Sequence, residues 1–214
     1  RQLGAGDLAV GDDAEATALK LRAVGHEAII APLLEIRFLD NAEIDLTNVQ
    51  AILATSANGV RALARATSVR DIPVFAVGPQ TAEAARLAGF TQIKNAKGDG
   101  AALAEAAMHW ARPGAGALFH AQGEQTKGGL ADALAKRGFE IRSAVLYEAA
   151  AIEHLPQEAA AALQSGALDA AMFYSPRSAR IFFKLVVNAG LAQTTSRLTA
   201  LCISKPTADA LSPL

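Results

Sequence analysis

Short apolar runs alternate with alanine-rich stretches of helical spacing along nearly the whole chain, and that alternation restricts the fold more than any motif. Asp13 to Val24 carries Ala16, Leu19 and Ala23 at helical spacing, with acidic residues early and Gly25 as a stop. Glu27 to Ala31 reads as a buried strand ending at Pro32. Strand Val49 to Ala54 leads into a helix over 58–66, and strand Val74 to Val77 into a helix over 79–88. Pro79 sits where a first-turn proline is tolerated, and Gly89 where a helix stops. Next come helix Gly100 to Trp110, strand Ala115 to His120, helix Gly128 to Arg137 and strand Phe139 to Tyr147. The chain continues with helix Gln157 to Gln164, strand Ala170 to Tyr174, helix Arg177 to Asn188, strand Leu198 to Ile203 and a last helix from Pro206. Strands separated by helices of this length predict parallel β-α-β units and an α/β fold. The strands lack strict polar alternation, as expected of sheets covered on both faces.

One strand-to-helix corner occurs twice. ATSANGVRAL (54–63) and FYSPRSARIF (173–182) each end an apolar run on a hydroxyl residue, cross a polar turn and begin a helix containing arginine. The next corner recurs as well: AVGPQTAEAARLAG (76–89) is echoed by CISKPTADAL (202–211), which aligns Thr81 with Thr207. Two corners repeated in the same order predict two similar lobes, each a parallel sheet flanked by helices. Ligands of open α/β sheets bind where strands end and helices begin, and helix N-termini there offer N–H groups to carboxylate or phosphate. Thr55, Ser56, Thr81, Ser175 and Thr207 supply hydroxyls at these corners, while Gly78 and Gly123 would let a ligand approach the backbone. The plainer alternative for each hydroxyl is N-capping.

Other chemistries lack their signatures. The corner LFHAQGEQTK (118–127) has no phosphate-loop spacing, no G-x-G-x-x-G follows a strand, and G-x-S-x-G is absent. The four histidines show no metal-ligand spacing; His120, at a strand end, is the one that could face a cleft. Tyr147 ends the strand leading out of the middle of the chain, where it either faces a cleft or packs at a lobe junction. Cys202, the lone cysteine, excludes an internal disulfide framework and reads as a buried small hydrophobe rather than a nucleophile. With 21 acidic against 20 basic residues there is no basic excess for nucleic acid. No apolar run approaches the length of a membrane span, and no export signal opens the sequence, so a cytoplasmic protein is expected. A donor-rich cleft with neither metal nor cofactor loop suits a polyanionic small molecule.

Several segments, in order, resemble the uroporphyrinogen-III synthase family: PLLEI (32–36), ILATSANGVRAL (52–63), FAVGPQTAEAARLAGF (75–90), GEQTK (123–127) with LAKRGF (134–139), VLYEA (145–149) and FYSPRSARIF (173–182). The resemblance implies two flavodoxin-like α/β lobes joined by two extended linkers: a discontinuous lobe of residues 1–37 plus 150–214, and a continuous one of residues 38–149. It further implies a monomeric, cofactor-free lyase. Its substrate would be the linear tetrapyrrole polycarboxylate hydroxymethylbilane, dehydrated and closed with inversion of the last pyrrole ring. By the same resemblance Tyr147 is the candidate proton donor. Thr81, Thr207, Ser56, Ser175 and the adjoining N–H groups would bind carboxylates, with Lys127 adding charge. The sequence departs from the family pattern at SKPTA (204–208), where glycine is expected and Lys205 offers an alternative anion partner. It also lacks an apolar strand ending in Arg-Pro at its start and, after Leu214, the family's further strand and helix. These departures leave a rival reading: a non-catalytic two-lobed module binding an anionic small molecule.

Overall fold

A computed structural model describes residues 2–6, 12–125 and 128–211. The elements in chain order are β1 (Gln2–Gly6), α1 (Asp12–Ala23), β2 (Glu27–Ala31), β3 (Leu34–Phe38), β4 (Val49–Ala54), α2 (Ala57–Ala66), β5 (Val74–Ala76), α3 (Pro79–Leu87), β6 (Ile93–Asn95) and α4 (Gly100–Trp110). They continue with β7 (Ala117–Gly123), α5 (Leu130–Ala135), β8 (Ile141–Ala151), α6 (Gln157–Ser165), β9 (Leu168–Phe173), α7 (Pro176–Asn188), a 3-10 helix (Ala192–Arg197), β10 (Thr199–Cys202) and α8 (Lys205–Asp209). Two compact units result, one of Arg1–Glu35 with Ala150–Leu214 and one of Ile36–Ala149. The α/β class expected from the alternation is thus the observed one.

In the discontinuous unit four strands pair in the order β10-β9-β1-β2, all parallel. Counted along the chain within this unit, that is the flavodoxin-like order 2-1-3-4. Its core joins Leu33, Leu163, Phe173, Phe182 and Leu185, and the Phe173 and Phe182 rings lie 5.1 Å apart. Against expectation, the opening segment does form a strand. QLGAG has no apolar run to announce it, and β1 exists because β2 and β9 flank it with parallel ladders on both sides. Leu19, expected on the inner face of the first helix, is 62% exposed, and Ala18 is buried in its place. Cys202 is only half-buried, and partial burial raises its thiol pKa.

The continuous unit builds the sheet β3-β8-β7-β4-β5-β6, with parallel ladders from β8 through to β6. From β4 to β8 this is the order 3-2-1-4-5, the other doubly wound arrangement rather than the flavodoxin-like one. The β4 segment is central, and Ala51, Ile52, Leu53 and Ala54 are all buried. Helices cover both sheet faces, so one cluster gathers Ile52, Val60, Leu63 and Phe119 and a second gathers Leu53, Leu103, Leu118 and Leu134. Close approach of α2 to the sheet depends on Gly59, where an added Cβ would lie 2.7 Å from the Ala121 carbonyl oxygen. The two crossings expected between the lobes, near residues 37–40 and 147–152, run through or beside extended strand: residues 34–38 form β3, which lies next to β8 in the sheet. Leu39 N–H donates to Leu146 C=O, and Ile152 N–H donates to Leu33 C=O.

Candidate active site

In the 3-2-1-4-5 order the chain reverses direction between β4 and β7, which places a crevice at their carboxyl ends. A cavity of about 640 Å³ lies in that crevice, lined by Thr55, Ser56, Val77, Asp99, Gln125, Gly128 and Tyr147 among others. Three sequence-predicted residues, Thr55, Ser56 and Tyr147, therefore share one cavity. All three belong to the continuous unit.

Ser56 is the N-cap of α2, in extended conformation (φ −153, ψ 154). Its Oγ accepts the Gly59 N–H at 3.0 Å and lies 2.8 Å from the Tyr147 hydroxyl. Ser56 is thus a helix cap that also lines the cavity. Tyr147 reaches this point through a β-bulge: Gln122 pairs with Val145 but Gly123 pairs with Tyr147, which leaves Leu146 as the extra residue on β8. The ring then lies over Gly123, where an added Cβ would be 2.6 Å from Tyr147 Cζ. Room at Gly123 is accordingly taken by the tyrosine and not left for a ligand, which corrects the sequence expectation for that glycine.

Behind this pair sits a second chain of polar contacts. His120 on β7 is 2% exposed, so it does not itself face the cavity. Its Nε2 lies 3.3 Å from Thr55 Oγ1 and its Nδ1 lies 3.0 Å from the Gln122 amide nitrogen. Burial pushes the His120 pKa down to about 4, and the ring is neutral at neutral pH. Sequence reasoning missed Gln122 and Asp99. Asp99 caps α4, accepting the Ala101 and Ala102 N–H groups at 3.0 Å each. The bond from Ala102, with that from Ala101, holds its carboxyl below the usual range. One wall of the cavity is therefore anionic while the Thr55–Ser56–Tyr147 side offers hydroxyls. A D/N/S/T residue directly before a helical run was the signal that could have found Asp99.

The remaining sequence-predicted residues lie elsewhere. Gly78 is the N-cap of α3 with open space around an added Cβ, and Thr81 is buried in the first turn of that helix. Ser175 caps α7 just as Ser56 caps α2, with φ −151 and ψ 151, and accepts the Ser178 N–H. Ser204 takes the place of the expected glycine without changing the backbone: φ is −154 there and −154 at Gly78. Thr207 is fully buried, its hydroxyl 2.9 Å from Ser204 Oγ, and Lys205 Nζ is ion-paired with Asp209 at 2.8 Å. Lys127 falls outside the described residues. Among the described residues, no group of three His, Cys, Asp or Glu side chains is placed to hold a metal, and no helix is long and apolar enough to cross a membrane.

A family model described as uroporphyrinogen-III synthase HemD matches residues 15–214. The chain belongs to the uroporphyrinogen-III synthase family. It is similar in fold to a mutant uroporphyrinogen III synthase of the extremely thermophilic bacterium Thermus thermophilus (TM-score 0.52, 20% identity, covering 99% of this chain and 88% of that one). It is likewise similar to the uroporphyrinogen-III synthetase of Helicobacter pylori (TM-score 0.59, 17% identity, 99% and 87%). No curated protein sequence matches the chain. At such identities the structures establish the shared fold; membership of the family establishes the lyase class and a tetrapyrrole as substrate. The resemblance read from the motifs is borne out, and neither finding favours the non-catalytic module.

Proposed function

We propose that this chain converts hydroxymethylbilane to uroporphyrinogen III with Tyr147 as proton donor, acting as a cytoplasmic monomer. The observation that supports the role of Tyr147 is its hydroxyl, held 2.8 Å from an N-cap serine on the wall of the cavity. Ser56 Oγ already accepts from Gly59, and its own hydrogen is free to point at the Tyr147 oxygen. The phenol proton is thereby directed into the cavity, towards the hydroxyl of the substrate's hydroxymethyl group. As the C–O bond breaks, the pyrrole nitrogen's electrons form the azafulvene in its N-protonated form, the nitrogen keeping its hydrogen, while the leaving hydroxyl takes the proton of Tyr147 and departs as water. Ser56, backed by the helix N-terminus, stabilises the phenolate left behind. The substituted carbon of the last ring then attacks the azafulvene methylene, giving a spiro intermediate. That intermediate fragments at the old inter-ring bond and recloses at the ring's other α-carbon. Rearomatisation returns a proton to Tyr147, and the net loss is one water.

Unassisted closure joins the ends without inversion, so the protein's principal task is to position them. Asp99 would steer substrate carboxylates away from its wall and towards Thr55 and Ser56. Roles for Thr81, Lys127, Ser175 and Thr207 in carboxylate binding rest on the family resemblance, and those of Gly78 and Lys205 on their places at helix starts; burial of Thr81 and Thr207 favours support of the corners from within. The lobes expected from that resemblance, residues 1–37 plus 150–214 and residues 38–149, are proposed as the functional domains. Tyr147→Phe tests the proton donor. General acids contribute about 10²- to 10⁴-fold, and type III formation is expected to slow by about 10²-fold or more with the fold intact. An unchanged rate would refute the role.

A further inference from the structure

Three hydrogen-bonding residues on neighbouring strands form a line that ends on the cavity, and only its last member touches it. Gln122 Nε2 is a donor with no lone pair to offer, so the His120 Nδ1 facing it at 3.0 Å must accept. A neutral imidazole carries one N–H, which is then on Nε2, 3.3 Å from Thr55 Oγ1. Thr55 accepts that hydrogen, and its own hydroxyl proton needs an acceptor elsewhere. Among the described residues none is within bonding distance, and the cavity is what remains. Burial at 2% exposure keeps the ring neutral and holds it in place between β7 and β4.

We propose that His120, oriented by Gln122, is a positioning residue that fixes the Thr55 hydroxyl as an outward hydrogen-bond donor, so that this corner selects an acceptor oxygen of carboxylate type. The inference rests on the proposed reading of the cavity as the substrate site. Without the relay the hydroxyl rotates freely and serves donors and acceptors alike; with it, one lone pair is occupied and the hydrogen points into the cavity, so an acceptor oxygen is favoured over an N–H or O–H, which has only the second lone pair to meet. The line runs parallel to Gly59–Ser56–Tyr147, which delivers a proton to the same cavity. The first line holds a substituent while the second assists departure of water.

Two measurements on the full chain test this separately from the synthase reading. Nitrogen-15 NMR of the imidazoles at pH 7 should show His120 protonated on Nε2; a proton on Nδ1 would overturn the proposal whatever the enzyme's activity. In steady-state kinetics with hydroxymethylbilane, Thr55→Val and His120→Leu should each raise KM about tenfold, the effect of one lost hydrogen bond. The turnover number should stay within about threefold, as expected of groups that bind and do not transfer protons. His120→Gln, which keeps a neutral donor near the Nε2 position, should restore most of the affinity and also serves if the leucine variant fails to fold. The double variant should be no worse than the poorer single one. Additive losses, or a fall in turnover at unchanged KM, would contradict the relay. Absence of type III product from the wild-type chain would sink the synthase reading and leave the tautomer measurement to decide the donor assignment.

Discussion

Gly123 has its side-chain space occupied by Tyr147, so Gly123→Ala would force the phenol off Ser56, the added methyl lying 2.6 Å from Cζ. Overpacking of this kind costs about 1–3 kcal/mol, and the expected result is a folded protein with type III formation reduced at least tenfold. Wild-type activity in Gly123→Ala would show that the ring position is not critical. His120 makes a second residue-scale prediction, in stability. Its pKa is about 4 in the folded chain against an ordinary 6.5. Above pH 6.5 the ring is neutral in both states and has no effect. As pH falls from 6.5 through 4 the unfolded chain takes up the proton first, and about 3 kcal/mol of stability is lost. Urea titrations across pH 7 to 4 should show this component in the wild type and lack it in His120→Gln; identical slopes would contradict the burial argument. At this scale the sequence made the hydroxyls legible, because Ser or Thr before a helical run has few other uses. It did not reveal that Gly123 serves the tyrosine, since that depends on a bulge opposite it in another strand.

Arg70 joins the ends of two helices. Its Nε donates to Ala88 C=O at 2.7 Å, Nη2 to Ala64 C=O at 2.7 Å, and Nη1 to Thr67 and Val69 C=O. The guanidinium also lies over the Phe90 ring, 5.0 Å from its centroid. The carbonyls left open at the C-terminal ends of α2 and α3 thus share one cation. Arg70→Met keeps the aliphatic stem and removes these bonds, at an expected cost of about 3 kcal/mol. Thermal unfolding should fall by roughly 6–12 °C for a chain of this size; an unchanged midpoint would mean the network is ornamental. Elements with strong local signals were readable in advance: β2, β4 and α4 have the bounds their apolar runs and caps suggested. Those made by their neighbours were not. The β1 segment is glycine-rich, β6 has only three residues, and β3 is an edge strand whose pairing with β8 leaves no mark on its own sequence.

Over the whole molecule, the repeated corners announced two related α/β units but not how the strands of each are ordered. Side-by-side placement of β4 and β7, separated by β5 and β6 in the chain, is what opens the crevice, and local sequence does not encode it. The site was partly legible for the same reason: Ser56 and Tyr147 could be named singly, yet their hydrogen bond spans 91 residues. Membership of the family makes the chain a lyase, and the cavity brings Thr55, Ser56 and Tyr147, the proposed proton donor, together within one unit. The most direct measurement is to incubate the chain with hydroxymethylbilane and resolve the uroporphyrinogen isomers formed. Type III should predominate over the uncatalysed background, and its rate should fall sharply in Tyr147→Phe. Formation of type I alone would contradict the assignment.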